Sequence, residues 1–271
     1  MRIARIAPHL WEEPCLSGQG IEFPVKGSGT VFFTGCSLHC VYCQNSAITR
    51  FAAAAGREYS ETELAQSMLA LQKTGVHNIN LVTATHFLPS VIGAVSLAKS
   101  SGLQIPVVYN CSGYETEKSL SALNGIVDIF LPDVKYYSNR LAGLYSHASN
   151  YPEIAFKAVK LMQSITGSPV FDKNGFLLSG TIVRHLILPG SDRDSRKITD
   201  RLFSDFGKSG IVLSLMSQYT PMPGIPFPEL TEHLPFSAYL RTVEHAQKLG
   251  FEYLYTQDGE SASESFIPEF K

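Results

Sequence analysis

The stretch Thr30-Val31-Phe32-Phe33-Thr34-Gly35-Cys36-Ser37-Leu38-His39-Cys40-Val41-Tyr42-Cys43 fixes how the rest of the chain is read. Residues 30–34 are apolar and β-branched, which predicts a strand. The strand leads into a loop where Cys36, Cys40 and Cys43 stand at C-x3-C-x2-C spacing, with Tyr42 just before the third. Thiolates are soft ligands that suit iron–sulfur clusters. Three of them on one loop can hold three irons of a cubane cluster and leave the fourth iron unligated. An open metal position separates a reactive site from a closed structural one. No fourth Cys or paired His lies nearby, so a tetrahedral zinc site is the weaker reading. Three buried cysteines in an ordinary loop are the bland alternative, and the spacing together with its flanks speaks against it.

Upstream of this loop, residues 1–27 show little periodicity, and Pro14, Gly18, Gly20, Pro24 and Gly27 interrupt any regular element. They read as an arm or collar on a main domain of residues 28–271, with Trp11 buried against that domain. Cys15 reads as a small buried hydrophobe. Downstream, Ser60 and Glu63 make a capping box. Leu64, Met68 and Leu71 then give one apolar helical face, and Gly75 ends the helix.

Further strands are predicted at 78–83, 105–110, 126–131, 181–188 and 211–216, with a short one near 253–256. The run at 126–131 is nearly all apolar, as a strand buried on both faces would be. Helices are predicted at 89–99, 116–123, 152–165, 195–206 and 237–249, the last capped by Ser237. Asn174-Gly175 reads as a β-hairpin turn between Val170-Phe171 and Phe176-Leu177-Leu178. Strand and helix alternate about six times, the pattern of parallel strands joined by right-handed crossovers. Six units with an open side is the count, although the length would allow an eight-unit barrel. The Pro-rich stretch 221–235 is the one long break, and such loops are functional or act as lids.

Composition narrows the field. The chain has 271 residues, 44% hydrophobic and 17% charged, which suits one large packed domain. Lys and Arg number 22 against 24 Asp and Glu, a net charge of −2. Without a basic stretch, nucleic acid is not an expected partner. No apolar run is long enough for a membrane helix, and the first residues lack the apolar core of a signal peptide. Five cysteines are an odd count that fits a reducing compartment, so the cytoplasm is expected.

The Cys spacing with its aromatic resembles the signature of the radical S-adenosylmethionine (SAM) superfamily. GTVFFTGCSLHCVYCQN looks like the cluster loop of PflX-type homologues of pyruvate formate-lyase activating enzyme. The likeness continues through HNINLVTATHFLP, VVYNCSGYE, IVDIFLPDVKYY, IVRHLILPG and LMSQY, roughly residues 20–250. It implies an α/β fold, a partial parallel (β/α)6 barrel. It also implies a [4Fe–4S] cluster on Cys36, Cys40 and Cys43 whose open iron binds the amino and carboxylate groups of SAM. Reductive cleavage of SAM would then give a radical that takes a hydrogen atom from substrate. A flavodoxin- or ferredoxin-like electron donor is implied, and for an activase a glycyl-radical enzyme as partner. A small-molecule substrate is the alternative within the class. A non-catalytic iron–sulfur electron carrier is the alternative outside it, but a carrier normally closes its cluster with four Cys.

In parallel barrels the site lies at the C-terminal strand ends, and each resembling motif ends a predicted strand. By resemblance, Tyr42 lies against the SAM adenine. Thr83-Ala84-Thr85-His86 stands where activating enzymes have a Gly-Gly-Glu-type segment for the SAM amino group. Having no glycine or acid, this chain would use Thr85, His86 or backbone carbonyls. Asn110 and Ser112 fall in a turn similar to one beside the SAM methionine, while Cys111 within it reads as a buried structural Cys. Asp133-Val134-Lys135 resembles the Asp-x-Lys segment whose Lys meets the SAM carboxylate. Arg184, inside a strand, is costly unless paired, so it is expected to face the interior and hold a carboxylate of SAM or substrate. Gln218 and Tyr219 end the sixth strand without an assigned role, and His39 is read as a surface residue. No catalytic acid or base is identified.

Overall fold

Strand β1 (Arg2–His9) opens the chain and lies antiparallel to β2 (Ser28–Phe33). Between them the short helix α1 (Pro14–Ser17) starts at a proline and ends at Gly18 in the left-handed region. The computed structural model describes residues 1–18, 26–50 and 55–257, so Gly20 and Pro24 lie outside the described residues. After β2 come the short helix α2 (Ser46–Thr49) and strand β3 (Arg57–Glu58), which pairs with β1. Helix α3 (Glu61–Lys73) begins with the expected capping box. The Ser60 side chain accepts from the Glu63 N–H, and the Glu63 carboxylate accepts from the Ser60 N–H. Its buried face carries Leu64, Ala65, Met68 and Leu71.

The α/β units follow. Strand β4 (Ile79–Val82) leads through a 3₁₀ turn (Ala84–Phe87) into α4 (Leu88–Ser100). Strand β5 (Val107–Cys111) leads to α5 (Glu117–Ser121), and β6 (Ile129–Pro132) to α6 (Asn139–Ser146) and α7 (Tyr151–Thr166). Strand β7 (Val170–Phe171) forms the predicted hairpin with β8 (Leu177–Leu186). Helix α8 (Asp192–Phe206), β9 (Val212–Met216), α9 (Phe236–Leu249) and β10 (Leu254–Tyr255) complete the order.

The sheet runs β10-β9-β8-β6-β5-β4-β2-β1-β3. Every neighbouring pair from β2 to β10 along this path is parallel. This is the expected mixed α/β fold with a partial parallel barrel. Side chains alternate across each strand. Outward residues such as Val31, Ile79, Leu81, Val107, Tyr109 and Phe130 pack under α3, α4 and α7. Val183, Leu213 and Leu215 pack under α8 and α9. Inward residues Val108, Ile129, Leu131, Ile182 and Val212 meet Cys15 and Leu16 of α1. The N-terminal segment therefore plugs the barrel interior from within.

Four expectations change. Residues 2–9 are a strand of the sheet, and 14–17 are a helix inside the barrel, where no regular element was expected. Trp11 is 51% exposed, because the residues around it run along the rim while Leu16 does the filling. The cap of α9 is Pro235, one position before the helix, and Ser237 lies within it. Helix α6 was not predicted, although Ser138 caps it by accepting from the Leu141 N–H.

Leu16 is fully buried among the inward side chains of four strands. Leu16→Ala is expected to lower stability by about 2–5 kcal/mol, measured as the shift in urea midpoint. A change near zero would mean that the segment only covers the barrel and does not fill it.

Candidate active site

Two register rows, offset by two residues, bring the cavity wall together. Phe32 pairs with Val82, Val82 with Asn110, and Asp133 bridges to Arg184, which pairs with Ser214. All six line one cavity of about 480 Å³, within the size range of small-molecule sites. Cys36, Cys40, Tyr42, Cys43, Ser112 and Lys135 line it as well. The structure thus gathers most of the predicted site residues at the C-terminal strand ends.

Each thiol of the loop has a hydrogen-bond partner. The Leu38 N–H donates to Cys36 Sγ at 3.4 Å, and Cys43 Sγ lies 3.5 Å from Thr49 Oγ1. Ser146 Oγ donates to Cys40 Sγ at 2.9 Å. That last bond ends a relay, since Tyr42 OH lies 2.7 Å from Tyr136 OH, which lies 2.6 Å from Ser146 Oγ. With Ser146 donating to sulfur, Tyr136 donates to Ser146 and Tyr42 to Tyr136. The Val41 N–H donates to the Tyr145 carbonyl at 2.8 Å, so α6 holds the loop's backbone too. Burial pushes the Cys36 thiol up to about 11 and raises that of Cys40. A bound metal reverses this, since coordination deprotonates a thiol outright. Among the described residues no three His, Cys, Asp or Glu side chains converge on a single metal-ion position.

Two glycines set the loop approach. Gly35 has φ +85°, and a Cβ there would stand 2.8 Å from His86 Cδ2. Gly113 has φ +76°, and a Cβ would run into the Asp133 carbonyl. Tyr151 OH shares its one proton between the Ser112 and Asp133 carbonyls, each 2.8 Å away, and accepts from the Lys135 N–H at 3.1 Å. The turns after β5 and β6 are thereby fixed to one phenol. Lys135 Nζ pairs with Asp133. Burial opposes its charge, but Asp133 and Cys40 outweigh that and hold its pKa well above the ordinary lysine value.

Thr85 and His86 do not line the cavity. Thr83 does, with φ 60°, a left-handed conformation unusual for a β-branched residue. Its N–H donates to the Asn110 carbonyl at 2.8 Å. The turn sends Thr85 outward, where its hydroxyl donates to Glu115 Oε1 at 2.8 Å and lies 3.1 Å from Tyr109 OH. His86 is exposed and flanks Gly35. Within the predicted segment it is therefore Thr83 that lines the cavity, and not Thr85 or His86.

Arg184 faces the interior as expected, but its partners are internal. Its Nε donates to Glu13 Oε1 at 2.7 Å, and one terminal nitrogen donates to Glu13 and to Glu12. Burial works against the Glu13 charge, and Arg184 reverses it, leaving the carboxyl below its usual range. Glu12, Glu13, Gln44 and Gln257 are cavity residues that sequence reasoning missed. Gln218 also lines the cavity, and its carbonyl accepts from Gln44 Nε2 at 3.2 Å. Tyr219 is buried, donating to the Leu230 carbonyl at 2.7 Å in the Pro-rich stretch. Cys15 and Cys111 are buried, as read.

Three thiols on a strand-end loop, an ammonium–carboxylate pair opposite, and a partial parallel barrel around them define a cluster-type barrel protein. The sequence matches the model of the Radical SAM superfamily over residues 30–203, and the chain belongs to that superfamily. An uncharacterized protein of Methanocaldococcus jannaschii is 27% identical over 247 residues, 87% of this chain and 67% of that protein. The fold is similar to HydG, a maturase of the [FeFe]-hydrogenase, with a TM-score of 0.55 at 12% identity over 82% of this chain. The chain spans about half of HydG, 48% of its length. It is also similar to a spore photoproduct lyase variant with bound AdoMet and dinucleoside spore photoproduct. There the TM-score is 0.52 at 12% identity, over 83% of this chain and 74% of that one. The donor set fits the [4Fe–4S] cluster and SAM that the family implies: three soft thiols and a charged pair on one small-molecule-sized cavity. Among the described residues no helix is long and apolar enough to cross a membrane.

Burial pushes the Glu115 carboxyl from 4.5 up to about 7, against the bonds from Thr85 and Tyr109. In that interval the folded chain holds a proton that the unfolded chain has lost, so stability falls as pH rises through it. Glu115→Gln keeps a neutral side chain at all pH. Urea midpoints near pH 5 and near pH 8 should therefore drop more for the wild type than for Glu115→Gln. An equal drop would clear Glu115 as the cause.

Proposed function

We propose that this protein is a radical SAM enzyme that holds a [4Fe–4S] cluster on Cys36, Cys40 and Cys43 and SAM in the adjoining cavity. The carrying observation is convergence: the three thiols and Asn110, Ser112, Asp133 and Lys135 line one space. When bound, the pair supplies reductive cleavage of the SAM sulfonium and hydrogen-atom abstraction from substrate. The chain's own residues position and shield it. Lys135 presents an ammonium to a ligand carboxylate while Asp133 keeps it charged. The Thr83 backbone and Asn110 border the same space. The Tyr42–Tyr136–Ser146 relay places a hydrogen-bond donor on the Cys40 sulfur, which bears on cluster potential. A flavodoxin- or ferredoxin-like protein is the proposed electron donor.

A glycyl-radical enzyme activase is the narrower form of this reading, supported by the likeness of Asp133-Val134-Lys135 to that segment. A small polar substrate is the form that the cavity favours, because its wall carries Glu12, Glu13 and Arg184.

Anaerobically reconstituted protein should hold about four irons per chain. Cys36→Ala, Cys40→Ala and Cys43→Ala should each abolish the cluster, and Cys15→Ala and Cys111→Ala should not. With dithionite and SAM the protein should release 5′-deoxyadenosine. A full cluster that binds no SAM would mark a carrier and sink the enzyme reading. Lys135→Ala should weaken SAM binding by about tenfold or more with iron unchanged, since a charge-assisted hydrogen bond is worth roughly 1.5–3 kcal/mol. Ser146→Ala should keep the iron and make the cluster's midpoint potential more negative. An unmoved potential would reduce the relay to packing.

A further inference from the structure

Thr83 and His147 are the non-glycine residues with positive φ among the described residues. Thr83, at φ 60° and ψ 43°, is β-branched, and a β-branched residue in the left-handed region is a genuine outlier. Such a conformation persists only where its surroundings over-determine it, and it concentrates at functional sites. Thr83 lines the cavity, next to Val82 of β4, which lines it too. Three contacts hold its turn. The Thr83 N–H donates to the Asn110 carbonyl at 2.8 Å. Ala84 is fully buried in the core under α3 and α4. The Thr85 hydroxyl donates to Glu115 Oε1 at 2.8 Å.

The third contact is one that packing alone does not call for. Glu115 stands in the loop after β5 and is 5% exposed. Among the described residues its side chain meets Thr85 and Tyr109 and no cation, with Tyr109 OH 3.5 Å from Oε2. Burying a carboxyl without a cation is costly, and an apolar side chain would suit the core better. What the carboxyl adds is direction. It fixes Thr85 Oγ1, which also lies 3.1 Å from Tyr109 OH, so one hydroxyl is held by β5 and by the loop that follows it. The far side of the same turn touches the Cys loop, because His86 lies against Gly35, the residue before Cys36. The turn is thus gripped between a buried acid behind it and the Cys loop in front, with Thr83 on the cavity wall. Glu115 itself does not line the cavity.

We propose that Glu115 is a positioning residue: through Thr85 it holds the Thr83 turn in the left-handed conformation that completes the cavity wall beside the Cys loop. The inference rests on the radical SAM reading in naming SAM as the ligand that this wall receives.

Three variants of the full-length protein test it. Thr85→Val keeps the size of the side chain and removes its hydroxyl. Glu115→Leu removes both acceptors, and Glu115→Gln keeps a carbonyl oxygen for Thr85. Hydrogen exchange at the Thr83 amide, read by mass spectrometry on peptides covering residues 82–87, needs no cofactor. Thr85→Val and Glu115→Leu should speed it by about tenfold, with exchange in β6 unmoved and Glu115→Gln near the wild type. SAM binding to anaerobically reconstituted protein is then measured by equilibrium dialysis. Thr85→Val should weaken it by about tenfold at unchanged iron content, since the ligand must then restore the strained turn. Glu115→Gln should recover most of the affinity that Glu115→Leu loses. Wild-type SAM affinity in a folded Thr85→Val would overturn the proposal whatever its urea midpoint, because a merely structural acid moves the midpoint alone. Wild-type exchange at Thr83 in that variant would overturn it as well, and Thr85→Val carries both readouts even where Glu115→Leu does not fold. A wild type that takes up a full cluster and binds no SAM would sink the radical SAM reading instead. The exchange arm would then still decide whether Glu115 holds the turn, so the two failures are distinguishable.

Discussion

Arg184 sits inside the barrel with its guanidinium on Glu12 and Glu13, and much of the structure follows from satisfying it. A charged side chain within a sheet's inner face is expensive unless paired and hydrogen-bonded. The strands on either side supply no acid, because Asp133 is taken by Lys135. The compensating charge comes from the N-terminal segment, 171 residues away in sequence. Bringing Glu12 and Glu13 to Arg184 also carries Cys15 and Leu16 into the barrel, where they meet the inward residues of β5, β6, β8 and β9. Asn80 on β4 then bonds Glu12. Two distant walls of an open barrel are thus tied through a segment that belongs to neither.

A second network works at the other end of the cavity. Buried phenols are tolerated there because each hydroxyl has a partner. Tyr42, Tyr136 and Ser146 run to the Cys40 sulfur, while Tyr151 pins the turns after β5 and β6. Tyr145 donates to Glu229, and its ring meets Phe227 edge-on at 4.9 Å. The Pro-rich stretch is therefore fastened to α6, and α6 in turn holds the backbone of the Cys loop at Val41. Loop position depends on a helix about a hundred residues further along the chain.

What was legible in the sequence was what local physics dictates. The strands at β4, β5, β6 and β9 announce themselves as short apolar runs because both their faces are buried. The capping box at Ser60 and the Asn174-Gly175 turn are complete within a few residues, with Gly175 at φ +88° as the turn needs. The three cysteines are readable because their spacing alone places them on one loop. Strand β1 was not readable, since an irregular register between Ile3 and Arg5 breaks its alternation. Thr85 and His86 were misplaced because one residue, Thr83, adopts a left-handed turn that no propensity favours. Glu12 and Glu13 drew no reading at all, because nothing nearby in sequence hints at Arg184. The need for a partner was visible at Arg184, but the partner's identity required the fold.

This division has a consequence for how the cavity is built. The residues proposed to hold the cluster and SAM sit on the barrel's own strand-end loops, each fixed by neighbouring loops. Glu12, Glu13 and Trp11 come from the N-terminal segment and line the same cavity. Arg184, which holds the segment's glutamates, is bridged through its backbone to Asp133 between β6 and β8. There the Asp133 of the lysine pair and the Arg184 of the glutamate pair lie side by side on adjacent chain. A charge added to or removed from the segment would be felt at Lys135 through that bridge, across hydrogen-bonded backbone and a low-dielectric interior. The far wall of the cavity and the Lys135–Asp133 pair therefore stand on either side of one backbone bridge.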